Sequence, residues 1–182
     1  KNGVFPEDAL VAWAARELGR PVKWTGDRSE SLVSDTHGRD AETDSEMALD
    51  ENGKILAIRV KADYGVGAYL SASAPVPACI GSMVYQNVYE YDAMHIHIRV
   101  VFSNTTWTGP YRGAGRPEAV YVVERLLDIA ADEMGIDPVE IRQRNYIAKD
   151  KMPYTTLIPT VYDSGDFSGI TDHAAEIADI AG

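Results

Sequence analysis

The sequence lacks most of the features that mark secretion, membrane insertion or nucleic-acid binding. It holds one cysteine, Cys79, in 182 residues, which excludes an internal disulfide and a metal site built from cysteines alone. No apolar run approaches the roughly 18 residues that span a bilayer, and no signal-peptide pattern opens the chain. Acidic residues outnumber basic ones by 28 to 17, and the net charge of −11 argues against nucleic acid or anionic membrane as a partner.

The sequence also lacks an initiator methionine, an internal repeat and a linker-like stretch. Its first residue is Lys1, and 45% of its residues are hydrophobic and 25% charged, as is typical of globular proteins. We expect one structural unit over residues 1–182 that is truncated at both ends and comes from a longer protein. We also expect a cytoplasmic location, with a periplasmic one left open if a signal was removed upstream.

Hydrophobic spacing and turn residues predict an α+β fold. Asn52-Gly53 between two extended runs is a strong hairpin signal. Because strands and helices do not alternate, we expect a mixed, largely antiparallel sheet with helices packed on one side. The predicted strands cover residues 22–25, 41–49, 54–64 and 94–102, and the predicted helices cover residues 6–18, 119–134, 137–146 and 172–180. We expect irregular structure over residues 26–40, a small-residue loop over 65–77 and an extended segment over 149–167.

Two of these helices carry a stripe that should be buried. Residues 6–18 place their stripe at Leu10, Trp13, Ala14 and Leu18. The stripe of residues 119–134 consists of Val122, Val123, Leu126, Leu127, Ala130 and Met134. Arg142 and Arg144 should flank the exposed side of the next helix, which Asp137 caps.

Two histidines, His95 and His97, share one face of the strand over residues 94–102. They could ligate a metal. However, no third ligand is placed beside them, and Arg99 on the same face is a poor neighbour for a cation. We therefore favour a solvated strand face and predict no metal ligands.

The most informative stretch is the glycine loop, residues 109–115, which leads into the helix that follows. Glycine permits positive φ and close approach to a ligand, and Pro117 stands where a helix can begin. A helix N-terminus carries free N–H groups and a partial positive charge, so phosphate, oxo or carboxylate oxygens would suit this place.

The residues alone leave other interpretations of the loop open. It could be a tight turn in which Arg112 forms a structural ion pair. A nucleotide-phosphate loop is disfavoured because no Lys-Ser/Thr follows the glycines, and the spacing of Gly109, Gly113 and Gly115 fails the dinucleotide pattern. A loop at residues 65–69 could also approach a ligand, but a loop crossing or bulge is favoured there.

Several separated blocks of the chain resemble one enzyme family. They are residues 6–16, 19–24, 27–30, 36–40, 111–119, 122–125, 137–138, 142–145 and 162–166. Together these blocks are similar, in order and over nearly the whole chain, to the molybdenum-binding subunit of the xanthine dehydrogenase and aldehyde oxidase family. The similarity is greatest to the branch that contains the large subunits of aerobic carbon monoxide dehydrogenase.

This resemblance implies part of a molybdopterin-binding domain. The full enzyme would use a molybdenum–pyranopterin cofactor, with a cytosine dinucleotide form possible in bacteria, to hydroxylate a small molecule with water-derived oxygen. The resemblance further implies iron–sulfur and flavin partner subunits or domains, besides the remainder of its own subunit. It places the cofactor against Tyr111, Arg112, Gly113, Ala114 and Gly115, and implies no catalytic residue within this chain.

Two departures from the family pattern narrow the expected substrate and the expected activity of this chain. Carbon monoxide dehydrogenases have a copper-binding cysteine where this chain has Gly113, so we expect an aldehyde or an N-heterocycle as substrate. The family's Gly-Gly-Phe-Gly cofactor loop would fall before Lys1, and its general-base glutamate far beyond Gly182. We therefore expect the chain alone to lack cofactor and to be inactive. A stand-alone anion-binding or assembly module without catalysis is the alternative.

Overall fold

A computed structural model describes residues 4–180 of the chain. Along the sequence, helices precede, interrupt and follow the strands of a three-stranded sheet. The helices are α1 (Pro6–Leu18), α2 (Arg28–Ser34), α3 (Val76–Ser82), α4 (Arg116–Met134), α5 (Pro138–Gln143) and α6 (Phe167–Ala178), with a 3-10 turn at Lys149–Lys151. None of these helices combines the length and the apolarity that a membrane span needs.

The main sheet has three strands in the order β1-β2-β3. They are β1 (Ala41–Leu49), β2 (Ile55–Gly65) and β3 (Ala93–Val101). The β1–β2 pair is the predicted antiparallel hairpin, whereas β3 lies parallel to β2. A parallel neighbour requires a crossover, and α3 lies within it. A separate antiparallel pair joins β4 (Tyr154–Thr155) and β5 (Val161–Tyr162). The predicted α+β class and mixed, largely antiparallel pairing are confirmed.

The core lies on one face of this sheet. Helix α4 packs against β1, α3 packs against β3, and the two helices contact each other. Ile58, Val60 and Ala62 of the central strand β2 are almost fully buried in the same core. The opposite face of the sheet is exposed to solvent. His95 and His97 are exposed there, and exposed ion pairs such as Arg99–Asp63 link neighbouring strands. The predicted solvated face is therefore confirmed.

The hairpin turn is held by two polar side chains. The Asp50 carboxylate accepts the N–H groups of Lys54 (2.8 Å) and Asn52 (2.9 Å), and these bonds lower the pKa of Asp50. Asn145 is fully buried; its amide donates to the carbonyl oxygens of Gly53 and Ile141 and accepts the N–H of Ile55. The turn is thereby fixed to α5.

Several predicted boundaries are wrong. Residues 22–25 form no strand, and α2 lies within the segment expected to be irregular; the Asp27 carboxylate caps α2 by accepting the N–H of Glu30 (2.8 Å). Helix α5 ends at Gln143 rather than near 146, and α6 begins at Phe167, capped by Asp166, rather than at Asp172. The segment over 149–167 is extended only in part, since it includes the 3-10 turn and the β4–β5 pair.

The predicted burial of α1 is wrong for this chain. Leu10, Trp13 and Leu18 are 55%, 62% and 58% exposed, and the helix has no buried residue. Its bounds are as predicted, and Gly19 ends it with a φ of +60°. The periodicity identified which side of α1 is apolar, but it does not show what covers that side.

The prediction for Arg142 is also wrong. Its guanidinium is not on an exposed side but donates to Glu124 (2.8 Å), Asp128 (2.7 Å) and the carbonyl of Pro138 (2.8 Å). Burial disfavours its charged form, but the bonds to the two carboxylates outweigh this and raise its pKa. Arg142 therefore joins α5 to α4.

The buried stripe of α4 is largely as predicted, with a shift at two positions. Leu127 is fully buried, but Leu126 and Met134 are only half-buried, and Ala119 and Ala131 are buried in addition. The face of α4 that packs against the sheet is therefore rotated slightly from the predicted stripe.

We predict that Leu127→Ala lowers the free energy of unfolding by roughly 2–5 kcal/mol, because it empties a closed part of the core. Leu126→Ala should cost less than half as much, since water already reaches that side chain. Urea unfolding of the two variants measures both values. Equal losses would mean that the helix face is misassigned.

Candidate functional site

The glycine loop lies between the end of β3 and the start of α4. It is reached through residues 103–108, which cross the segment that leaves β2. Ser103 N–H donates to the carbonyl of Gly67 (3.1 Å), Ala68 N–H to that of Thr105 (3.1 Å) and Thr108 N–H to that of Val66 (3.2 Å). A β-carbon at Gly67 would overlap the carbonyl oxygen of Thr106. The expected loop crossing at residues 65–69 is confirmed, and it fixes where the glycine loop begins.

Three consecutive residues of the loop have positive φ. The values are +99° at Gly113, +50° at Ala114 and +93° at Gly115. Glycine adopts such angles freely, whereas alanine in this region is strained. Strained backbone that the surroundings maintain is concentrated at functional sites. The loop is thus a specific backbone conformation and not a generic turn. We call residues 111–115 the arch.

Gly115 is required by packing against α3. It is buried, and a β-carbon there would overlap the carbonyl oxygen of Pro77 and lie 2.8 Å from the amide nitrogen of Gly81. At Gly113 a β-carbon would lie 2.5 Å from Cγ of Pro117. The first turn of α4 is consequently closed by α3, and the open part of the loop is residues 111–114.

The open part presents backbone N–H donors that no other described residue accepts. Within residues 4–180, the N–H groups of Arg112 and Gly113 donate to no acceptor. Arg112 and Arg116 form no ion pair with any described residue. The structural ion pair considered for Arg112 is therefore absent from this part of the chain. An arch of free amides between two unpaired cations suits an oxygen-rich anionic group.

Arg39 supports the arch, and sequence reasoning missed it. Its guanidinium donates to the carbonyl of Arg112 and to the carboxylate of Glu118, both at 2.8 Å. It also lies 4.8 Å from the centroid of the Tyr111 ring. Arg39 belongs to the block 36–40 that carried the family resemblance, but nothing in the sequence pointed to this contact.

A pair of buried tyrosines lies behind the loop. The hydroxyl of Tyr64 approaches Gly81, which itself packs on the carbonyl of Gly115. Among the described residues the hydroxyls of Tyr64 and Tyr85 have no hydrogen-bond partner. Burial raises the pKa of both hydroxyls. The neighbouring Tyr85 partly offsets this rise at Tyr64, whereas Tyr64 adds to it at Tyr85. Both hydroxyls are therefore neutral.

A small groove runs beside the open part of the loop. It has a volume of about 160 Å³ and is lined by Thr36, His37, Ser73, Gly109 and Tyr111 among others. Cys79 is exposed on α3. Nowhere in residues 4–180 do three His, Cys, Asp or Glu side chains converge as metal ligands would, and His95 and His97 stand on the exposed sheet face.

A mixed sheet backed by helices, with unused amides just before a helix start, suits a domain that binds an oxygen-rich anionic group. Residues 1–146 match the model of the molybdopterin cofactor-binding domain, and the chain belongs to that family.

Relatives with stated functions agree with this family. The chain is 36% identical over its whole length to the 6-hydroxypseudooxynicotine dehydrogenase complex subunit gamma of Paenarthrobacter nicotinovorans, of which it covers 23%. It is also 36% identical to the carbon monoxide dehydrogenase large chain of Hydrogenophaga pseudoflava, over 92% of this chain and 21% of that protein. The chain thus spans about a quarter or less of the length of these relatives.

Solved structures confirm the fold. Quinoline 2-oxidoreductase from Pseudomonas putida 86 superposes with a TM-score of 0.91 at 30% identity, covering 97% of this chain and 23% of that one. The Cu,Mo-CO dehydrogenase superposes with a TM-score of 0.90 at 30% identity, covering 98% and 23%. The resemblance drawn from the sequence is confirmed, and with it a molybdenum–pyranopterin cofactor as the group that this family binds.

We predict that Gly115→Ala destabilises the chain far more than Gly135→Ala. Both residues have positive φ, so each substitution incurs the left-handed strain of about 1–2 kcal/mol. At Gly135 nothing lies within 4 Å of the added carbon, whereas at Gly115 the carbonyl of Pro77 must move. Chemical denaturation of the two variants measures the difference, and a difference near zero would contradict the close packing of α3 on the loop.

Proposed function

We propose that this chain is part of the molybdenum-binding subunit of a molybdenum hydroxylase, and that Tyr111, Arg112, Gly113, Ala114 and Gly115 hold the cofactor. One observation supports placing the cofactor at these residues. The amides of Arg112 and Gly113 donate to no acceptor within the described residues, and Arg112 and Arg116 have no carboxylate partner there. Family membership supports the cofactor but does not by itself locate it.

The chain's own part in this function is to bind and to orient. When bound, the molybdenum–pyranopterin group supplies the redox chemistry by which an aldehyde or N-heterocycle gains water-derived oxygen. The open amides of Arg112 and Gly113 would donate to its oxygens, and the positive φ angles of residues 113–115 define the backbone conformation next to them. No general base is assigned to this chain, which is why we propose that it is inactive alone and retains no cofactor.

The proposed substrate class follows from Gly113. A glycine offers no thiolate for copper at this position, so carbon monoxide is disfavoured despite the relative that oxidises it. A path for a small molecule would pass the groove beside Gly109 and Tyr111. The cytosine dinucleotide form of the cofactor is a finer part of the proposal, which mass spectrometry of the nucleotide released from the complete protein would test.

The proposed partners are the rest of a longer subunit, together with iron–sulfur and flavin subunits or domains. The relatives are named as a large chain or as the gamma subunit of a complex, which supports a multi-subunit assembly. The exposed apolar side chains of α1 suit contact with the remainder of the subunit. We propose that residues 1–182 act as one unit in the cytoplasm.

Gly113→Val in the complete subunit tests the site. The branched side chain meets Pro117 at a φ of +99°, so we predict that molybdenum and pterin content fall several-fold. Gly135→Ala is the matched control, because it strains a positive φ where nothing crowds the added carbon. Metal analysis and pterin fluorescence of the purified subunits measure occupancy. Normal molybdenum content in the Gly113 variant would remove the assignment of the loop.

A further inference from the structure

We infer that Arg39 is a positioning residue for the cofactor loop, an inference that rests on the function proposed above. The loop forms few bonds of its own: Ala114 N–H donates to the carbonyl of Tyr111 (2.7 Å), and the N–H and the guanidinium of Arg116 donate to that of Gly113 (3.1 and 3.3 Å). These three bonds are local and do not fix the arch relative to the sheet. The three consecutive positive φ values therefore need support from outside the loop.

Arg39 gives this support from a distant part of the chain. It lies 73 positions before Arg112 and 79 before Glu118, and it contacts both. Its third contact is the Tyr111 ring. One side chain thus holds the beginning of the open arch, its middle and the first turn of α4.

The backbone around Arg39 is itself fixed against the loop. Gly109 N–H donates to the carbonyl of His37 (2.8 Å), and a β-carbon at Gly38 would lie 2.9 Å from Cβ of Tyr111. On the other side, Gly65 N–H donates to the carbonyl of Asp40 (3.0 Å). Arg39 is also at a φ of +60°. Two of the four described non-glycine residues with positive φ, Arg39 and Ala114, therefore meet at this loop.

The contacts require arginine rather than a generic cation. The guanidinium is planar and forked, so it can donate in two directions and still lie against an aromatic ring. A lysine ammonium has no fork and no flat face. The side chain of Glu118 is only 13% exposed, so removal of Arg39 would also leave a poorly hydrated carboxylate behind the loop.

The experiment compares Arg39→Met and Arg39→Lys in the complete subunit, with Arg59→Met as the matched control. Arg59 pairs with Glu46 on the exposed sheet face, so its loss removes an ion pair far from the loop. Three quantities are measured: hydrogen exchange of the amides of Ala114 and Arg116, molybdenum per subunit, and the thermal unfolding midpoint. The double variant Arg39→Met/Glu118→Gln removes the stranded carboxylate and separates loop positioning from general destabilisation.

We expect Arg39→Met to accelerate exchange at Ala114 and Arg116 by about tenfold or more, with exchange of the β1–β2 hairpin unchanged. Molybdenum content should fall several-fold, and Glu118→Gln should not restore it. Arg39→Lys should recover part of the thermal stability but neither the slow exchange nor the molybdenum, and Arg59→Met should change nothing at the loop.

Unchanged exchange at the loop in Arg39→Met would overturn the inference, as would full recovery by lysine. Normal molybdenum in Arg39→Met together with depleted molybdenum in Gly113→Val would overturn the role of Arg39 and leave the site intact. Normal molybdenum in both variants would overturn the site assignment, and the role of Arg39 would fall with it.

Discussion

The close approach of Gly115 to α3 is the constraint on which the rest of the site depends. A side chain there would overlap the carbonyl of Pro77, so α4 can start where it does only because residue 115 has none. This contact closes the first turn of the helix and turns the preceding residues outward. The amides of Arg112 and Gly113, rather than those of the helix itself, then form the open face of the loop. The amides without an acceptor thus lie a few residues upstream of the helix N-terminus at which the sequence predicted an anion site.

The hairpin, both bounds of α1, the end of α4 and the position of the glycine loop before a helix could be predicted because each depends on local chemistry. The predicted start of α4, at residue 119, lies three residues beyond its observed start at Arg116. Asn52-Gly53 fixes a turn, and Gly135 ends α4 with a φ of +65°. The parallel placement of β3 could not be predicted, because it depends on how the crossover packs and not on the strand's own pattern. Helix α2 was missed because its residues are polar, although Asp27 is a regular N-cap and could have signalled it.

The candidate site is proposed from its glycines and the family resemblance, and these describe its contacts incompletely. Positive φ at Gly113 and Gly115 is a conformational property that residue type suggests. The role of Arg39 is a long-range contact between residues more than 70 positions apart, and single-sequence reasoning has no signal for it. The same limit explains Arg142, whose two carboxylate partners lie on another helix and convert an expected surface cation into a bridge between α4 and α5.

The most direct test of the account is amide hydrogen exchange of the complete subunit with and without its cofactor. The account predicts that the N–H groups of Arg112 and Gly113, which have no acceptor among residues 4–180, become protected when the cofactor is bound, while the β1–β2 hairpin exchanges at the same rate in both forms. Equal exchange of these two amides in the loaded and cofactor-free subunit would contradict the central claim that this arch holds the molybdenum–pyranopterin group.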